Sequence, residues 1–452
     1  MTVQSFGARW VVPMDGLPIE FGEVIVEDGV IAEVRPSKLP SAERHDFGHS
    51  VLMPGFVNAH THLEYSSLRG FLEDVPFFPW IRALNQYKGA FNAEDWLYST
   101  KLGAAEAIRS GVTTVADNTD AGLTAQVASE SGLRAKVYQE VFGIDHRDST
   151  LSVLEILKSK LWTARTFESD RISLGISPHA LYTVRPAVME CVRTFALENS
   201  LDLSIHVAES ESETELIELG CGPFADMFAR RGIEWQPPRT SPTQYARDLG
   251  ILGPNTLAIH CVQQNDNDIE ILRRSGAAVV HCPKSNAKLG AGIAPMSKWL
   301  GYPEIRIGIG TDSVVSNNSI DMFEEMRFAL LNQRAINRSV PTVTAEQVLR
   351  MATLGGAEAL GMADKTGSLT PGKRADLVCV SLQELHTWPY SDPYAAVVFS
   401  ARPDNVAMTM TDGNILYDGT TLTTIAIAET ILRTRESRER AASYVQSQTT
   451  GA

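Results

Sequence analysis

Residues 51–62 read VLMPGFVNAHTH. An apolar, uncharged run ends in two histidines one residue apart. Side chains at i and i+2 of a strand share a face. His60 and His62 therefore aim at one point, as two ligands of a single metal ion would. Taken alone, the pair could also be two buried histidines without a ligand role, and the rest of the chain decides between these readings.

Seven further apolar runs follow: GVTTVADN (111–118), RAKVYQEVF (134–142), ISLGISPH (172–179), LDLSIHVAE (201–209), TLAIHC (256–261), AAVVHC (277–282) and IRIGIGTD (305–312). Each precedes a loop, and most precede a helical pattern. Repeated βα units point to a parallel sheet. Eight of them across residues 51–364 fit a (β/α)8 barrel with long loops. A doubly wound open sheet is the alternative, but no G-x-G-x-x-G follows the first strand, so a dinucleotide site has no support. Residues 1–50 and 365–424 read as short strands. Both chain ends should meet in one small β-sandwich domain that brackets the barrel. Residues 425–452 turn helical and should form a surface helix and tail.

Polar residues cluster where these strands end. His60 and His62 end the first, His179 the fourth, His206 and Glu209 the fifth, His260 the sixth, His281 the seventh and Asp312 the eighth. Six of the ten histidines lie in this set. In a barrel those ends converge on the face that carries active sites.

Composition excludes several classes. The 452-residue chain has a net charge of -14, which argues against a nucleic-acid binder. No segment approaches 18 uninterrupted apolar residues, so no membrane span is expected. Five cysteines, none spaced C-x-x-C, and no secretory signal fit a reducing cytoplasm.

The chemistry follows from residue types. Imidazole suits zinc or ferrous iron. A catalytic site needs about three protein ligands or a few more, plus an open position. His206 and Asp312 can complete the set from across the barrel. A metal lowers the pKa of water toward neutrality, and a neighbouring base must move the protons. Glu209 stands three residues after His206, where it could turn back over the metal. Glu211, Glu213 and Glu215 read as ordinary acids at a helix N-terminus. His260 is the second candidate, as proton donor or as the group polarising water. Gly308 and Gly310 share a face with Asp312 and should leave room near the barrel axis.

PGFVNAHTH, the HVAE run, the IHC run, HCPKSN and GTDS, in this order, resemble the amidohydrolase superfamily. Within it they resemble the mononuclear deaminase and chlorohydrolase branch. PGKRADLV matches the returning strand of that family's small β-domain, so the resemblance covers nearly the whole chain. It implies metal ligands His60, His62, His206 and Asp312, with Glu209 and His260 shuttling protons and Asp312 also acting as base. It implies that His179 contacts substrate and that Ser285 and Asn286 shape the pocket wall. Two-metal members carry a lysine ending strand four; His179 stands there instead, which implies one divalent metal, zinc first and iron second.

NAHTHLE-x-S followed by F-x-x-W-I is similar to the aminodeoxyfutalosine deaminases, and LRG with E-D-x-x-F-x-x-W to the adenosylhomocysteine and methylthioadenosine deaminases. The implied substrate is a small amino-heterocycle, a 6-aminopurine nucleoside above all. Triazine dechlorination and guanine or cytosine deamination are the rival activities; a scaffold that has lost its ligands is the non-enzymatic one. Phe77, Phe78 and Trp80 could cover a planar ring. Arg69 and Arg82 could meet a substrate carboxylate. Barrels of this kind often pair, so a homodimer is expected.

Overall fold

A computed structural model describes residues 2–37, 44–75 and 77–450; the side chains of Phe77 and Arg82 lie outside the described residues. All eight expected barrel strands form: Phe56–Thr61, Val112–Thr119, Arg134–Val141, Ile172–Pro178, Asp202–Val207, Thr256–His260, Ala278–His281 and Ile307–Ile309. They pair in sequence order, and every pairing is parallel. Every residue of the second and third strands is buried. That is the pattern of strands covered on both faces.

A bridge between Thr61 and Asp312 brings the eighth strand back to the first. The Asp312 amide donates to the His60 carbonyl at 3.0 Å. Gly310 permits this closure. A Cβ there would lie 2.7 Å from the His60 carbonyl oxygen and 2.8 Å from its Cβ. A Cβ on Gly308 would lie 2.7 Å from Ala59. Gly310 thus makes room for the His60 backbone, and Gly308 for the Ala59 side chain.

Both chain ends share a second, mixed sheet. Its strands run in the order Asn414–Tyr417, Val406–Thr411, Leu377–Ser381, Ser50–Pro54, Val3–Val11, Ile19–Glu27 and Val30–Pro36, with Arg44–Asp46 paired beside Val3–Val11. Phe6, Val24, Leu52, Leu377 and Met408 form a core of its own. Arg134, at the start of the third barrel strand, ties the sheet to the barrel. Its Nε donates to Asp376 Oδ2 at 2.7 Å, its Nη2 to Asp376 Oδ1 at 3.2 Å, and Nη2 also reaches Asp412. Both Arg134 and Asp376 are buried.

The C-terminal helix, Ile427–Thr450, does more than cover surface. Arg438 Nη1 donates to the carbonyls of Ser67 at 2.7 Å and Arg69 at 2.6 Å. The helix thereby clasps the long loop after the first barrel strand. Among the described residues, no helix is long and apolar enough to cross a membrane.

Removing one partner of a buried ion pair leaves the other charge uncompensated. Arg134→Met should therefore destabilise the protein by roughly 3–5 kcal/mol, read as a lower midpoint of urea unfolding; an unchanged midpoint would show that the tie between the sheets carries no stability.

Candidate active site

The barrel strand ends bring six of the expected residues together. The rings of His60 and His62 lie 4.9 Å apart by their centroids, and His60 and His206 lie 5.0 Å apart. One nitrogen from each of these three histidines falls within 4.8 Å of the others, and His60, His260 and Asp312 form a second such group. Asp312 Oδ1 stands 3.4 Å from His60 Nε2 and 3.6 Å from His62 Nε2. His260 Nε2 and Glu209 Oε1 face each other at 3.6 Å.

The backbone bends sharply to do this. Ala208, His260 and Asp312 have φ of 53°, 71° and 56°. Non-glycine residues in that region carry strain and persist only where the surroundings hold them, as at functional sites.

Hydrogen bonds behind the cage orient each group. His206 Nδ1 donates to the His179 carbonyl at 2.7 Å, which frees Nε2 for a ligand. His260 Nδ1 donates to Asn286 Oδ1 at 2.9 Å, which turns Nε2 toward Glu209. Asp312 Oδ2 accepts from Ser285 Oγ at 2.5 Å and Ser316 Oγ at 3.0 Å, while Oδ1 accepts from the Ser313 amide at 2.6 Å and faces the histidines. Ser285 and Asn286 thus stand behind the cage. The expected pocket-wall role does not hold, because the residues lining the cavity do not include them.

Burial sets the protonation of the site. It lowers the His60 pKa and pushes His206 and His260 down to about 4, so these imidazoles keep a lone pair at neutral pH. It pushes Glu209 up to about 8, and the Asp312 charge adds to the shift. Burial opposes ionisation of Asp312 as well, but the histidines around it hold its carboxyl well below the usual range. His60 Nε2 is buried without a hydrogen-bond partner. A lone pair in that state, beside two further imidazoles and a carboxylate, fits a divalent cation.

The cage sits in a cavity of about 400 Å³. Trp80, Ile81, Leu84, Asn85 and Lys88, on one face of the helix Phe77–Lys88, line one wall. Phe142, His179, Tyr182 and Phe224 line the other. Trp80 and His179, both singled out in the sequence, line this cavity. Phe78 does not line the cavity; it packs edge-on to Phe224 at 4.8 Å. Arg69 lies outside, joined to Glu106, so it meets no substrate group there. His281 also stands apart, its ring edge-on to Trp299 at 5.9 Å. Glu213 is not an ordinary surface acid. It is fully buried, and its Oε2 accepts the Glu209 amide at 2.8 Å.

Sequence reasoning missed Glu140 and Lys88. Glu140 belongs to the strand-end set: it lies near the end of the third barrel strand and lines the cavity. Burial raises its pKa well above the ordinary value. Lys88 carried no signal beyond its place at the end of an amphipathic helix.

Second-layer hydrogen bonds tune a metal site by about 10–100-fold. Ser285→Ala should weaken zinc binding by that order, measured by competition with a chromophoric chelator; an unchanged affinity would detach Ser285 from the cage.

The model of the amidohydrolase family matches residues 51–416. A 5-methylthioadenosine/S-adenosylhomocysteine deaminase of Syntrophobacter fumaroxidans is 33% identical over 430 residues, which cover 93% of this chain and 94% of that one. A 5′-deoxyadenosine deaminase of Methanosarcina barkeri is 34% identical over 400 residues, covering 88% of each chain. The crystal structure of an adenosine deaminase from Xanthomonas campestris, with bound zinc, superposes with a TM-score of 0.86 at 30% identity, covering 97% of this chain and 98% of that one. With its parallel barrel, mixed sheet and histidine-rich cage, this chain belongs to the amidohydrolase family.

Proposed function

We propose that the protein is a metal-dependent aminohydrolase that releases the 6-amino group of an adenine nucleoside as ammonia. Nucleosides altered at the 5′ position, of the methylthioadenosine, adenosylhomocysteine or aminodeoxyfutalosine kind, are the substrates. The observation that carries this reading is the facing pair Glu209 and His260, 3.6 Å apart, over a cage of three histidines and Asp312 at the floor of an aromatic-walled cavity. The deaminase names of relatives 33% and 34% identical support it.

His60, His62, His206 and Asp312 would hold one divalent ion, zinc first and iron second. When bound, the ion supplies Lewis acidity that brings the pKa of water toward neutrality. Asp312 accepts a proton from the attacking water as its oxygen bonds to C6 of the ring. Glu209 gives its proton to the adjacent ring nitrogen. The environments of these two carboxyls push their pKa values apart, one up and one down, which separates an acid from a base. The C–N bond then breaks as Asp312 passes its proton to the exocyclic nitrogen; ammonia leaves, the new hydroxyl returns a proton to Glu209, and a ring carbonyl remains. His260, held by Asn286, orients the water from the other side. Trp80, Phe142 and Tyr182 cover the planar ring. The five cysteines are all free, in keeping with a reducing cytoplasm.

The test is ammonia release by zinc-loaded protein from 5′-deoxyadenosine, methylthioadenosine, adenosylhomocysteine, aminodeoxyfutalosine, guanine and an aminotriazine. We expect turnover of the adenine nucleosides; silence toward all of them would overturn the reading. Glu209→Gln should keep its zinc and lose about 10²–10⁴-fold in kcat, the usual worth of a positioned proton donor. Surviving turnover would remove Glu209 from the mechanism.

A further inference from the structure

One wall of the cavity is anchored differently from the rest of the site. The cage ligands stand on barrel strands or just beyond their ends. The helix Phe77–Lys88 sits instead on the long loop after the first strand. Trp80 packs with Tyr65, Leu68, Leu72 and Val315 in a small apolar cluster, flanked by Tyr87, apart from the main barrel core. Whatever fixes this loop therefore fixes the wall.

The two halves of the loop are held by different means. The first half, Leu63–Leu68, is tied to the barrel and the helix beside it. The Leu63 amide donates to Asp117 Oδ1 at 2.7 Å and the Ser67 amide to Ser99 Oγ at 2.8 Å. Glu64 accepts from the amides of Asp120 at 2.9 Å and Ala121 at 3.0 Å. Beyond Leu68, Arg69 joins Glu106, and the exposed Glu73 meets Lys288 at 3.0 Å and Asn318 at 2.7 Å. Ion pairs at the surface hold a loop weakly.

Arg438 reaches this second half from the far end of the chain. Its two bonds to the carbonyls of Ser67 and Arg69 close the boundary between the halves. Its guanidinium carbon also lies 4.2 Å from the centre of the Phe71 ring. Phe71 in turn stacks on Tyr87, with ring centroids 4.4 Å apart and planes 6° from parallel. Tyr87 belongs to the last turn of the cavity helix, between Leu84 and Lys88, which both line the cavity. A guanidinium can stack on an aromatic face and donate in its own plane at once, so one side chain holds both backbone and ring. The helix that carries it is firmly seated. Thr430, Thr434, Ser437 and Ala441 are buried along one face. Arg440 pairs with Asp95, and the Tyr98 hydroxyl donates to Glu429 Oε1 at 2.6 Å, both partners lying on the helix Ala93–Arg109.

We propose that Arg438 is a positioning residue for substrate binding: from the C-terminal helix it fixes, through Phe71 and Tyr87, the helix that forms one wall of the cavity. Arg438 does not line the cavity itself. The half of the loop next to His62 keeps its own ties to the barrel. Loss of Arg438 therefore loosens the wall around Trp80 and leaves the metal ligands, Glu209 and His260 in place. The effect falls on binding and spares the chemical step. The inference rests on the nucleoside reading above only for the substrate used to measure it.

The experiment takes zinc-loaded, full-length wild type and Arg438→Ala, with zinc content measured on each, and records steady-state kinetics with methylthioadenosine and amide hydrogen exchange. In Arg438→Ala, KM should rise roughly 10-fold, the size of one lost hydrogen bond from a charged donor. A kcat within about 2-fold of the wild type would mark the loss as one of binding alone. The amides of residues 78–88 should exchange faster, and those of the barrel strands should not. Arg438→Lys, which keeps the charge but lacks the planar fork, should recover only part of the wild-type KM. A lower unfolding midpoint with KM and helix exchange unchanged is what a merely structural arginine gives, and it would overturn the proposal. A fall in kcat together with zinc content would place the effect at the cage and overturn it equally. Should Arg438→Ala fail to fold, Phe71→Leu keeps apolar bulk but breaks the stack; unchanged KM and exchange there would count against the proposal in the same way. Silence of the wild type toward adenine nucleosides would overturn the nucleoside reading alone. Exchange at residues 78–88 would then still decide the role of Arg438, faster exchange supporting it and unchanged exchange overturning it.

Discussion

The site depends on how the barrel closes. The Asp312 amide reaches the His60 carbonyl across the join between the eighth strand and the first. That single contact sets the aspartate beside the H-x-H pair, although some 250 residues separate them in sequence. It requires Gly310, because any side chain there would collide with the His60 backbone. The third histidine of the cage, His206, arrives from the fifth strand, on the opposite side of the ring. A parallel barrel presents all its strand ends at one face, so closing the ring and assembling the cage are one event.

Burial then gives the assembled groups their chemistry. Each cage histidine is held neutral by its surroundings, while Asp312 keeps its charge because histidines encircle it. Burial and the Asp312 charge push Glu209 the other way. Two carboxyls of one site thus carry opposite tendencies. Ser285 and Asn286, behind the cavity surface, and Ser316, at it, determine which lone pair each group presents. Glu213 does the same for the backbone of Glu209.

Much of this was legible in the sequence. All eight barrel strands, the shared sheet of the chain ends and the C-terminal helix could be read from apolar runs and turn residues, because hydrophobic periodicity reports local structure directly. The strand-end rule found His60, His62, His179, His206, His260 and Asp312. It failed to single out Glu140, though Glu140 meets the same criterion, because QEVF draws no notice beside a histidine motif. It also admitted His281, whose ring turns to Trp299 instead. Arg69 looked free to bind an anion only because Glu106, its partner, lies 37 residues away.

The sequence by itself determined the period of each element, the order of the strands and the residue types at their ends, since these follow from local spacing. Tertiary structure alone decided which side chains face the cavity and which stand behind it. It placed Ser285 and Asn286 in the second layer, buried Glu213, joined Arg134 to Asp376, and set Arg438 over Phe71. These outcomes depend on side-chain direction at contacts between distant segments. A strand or helix pattern places a residue on a face, but the partner that satisfies its hydrogen bonds is brought there only when the barrel closes.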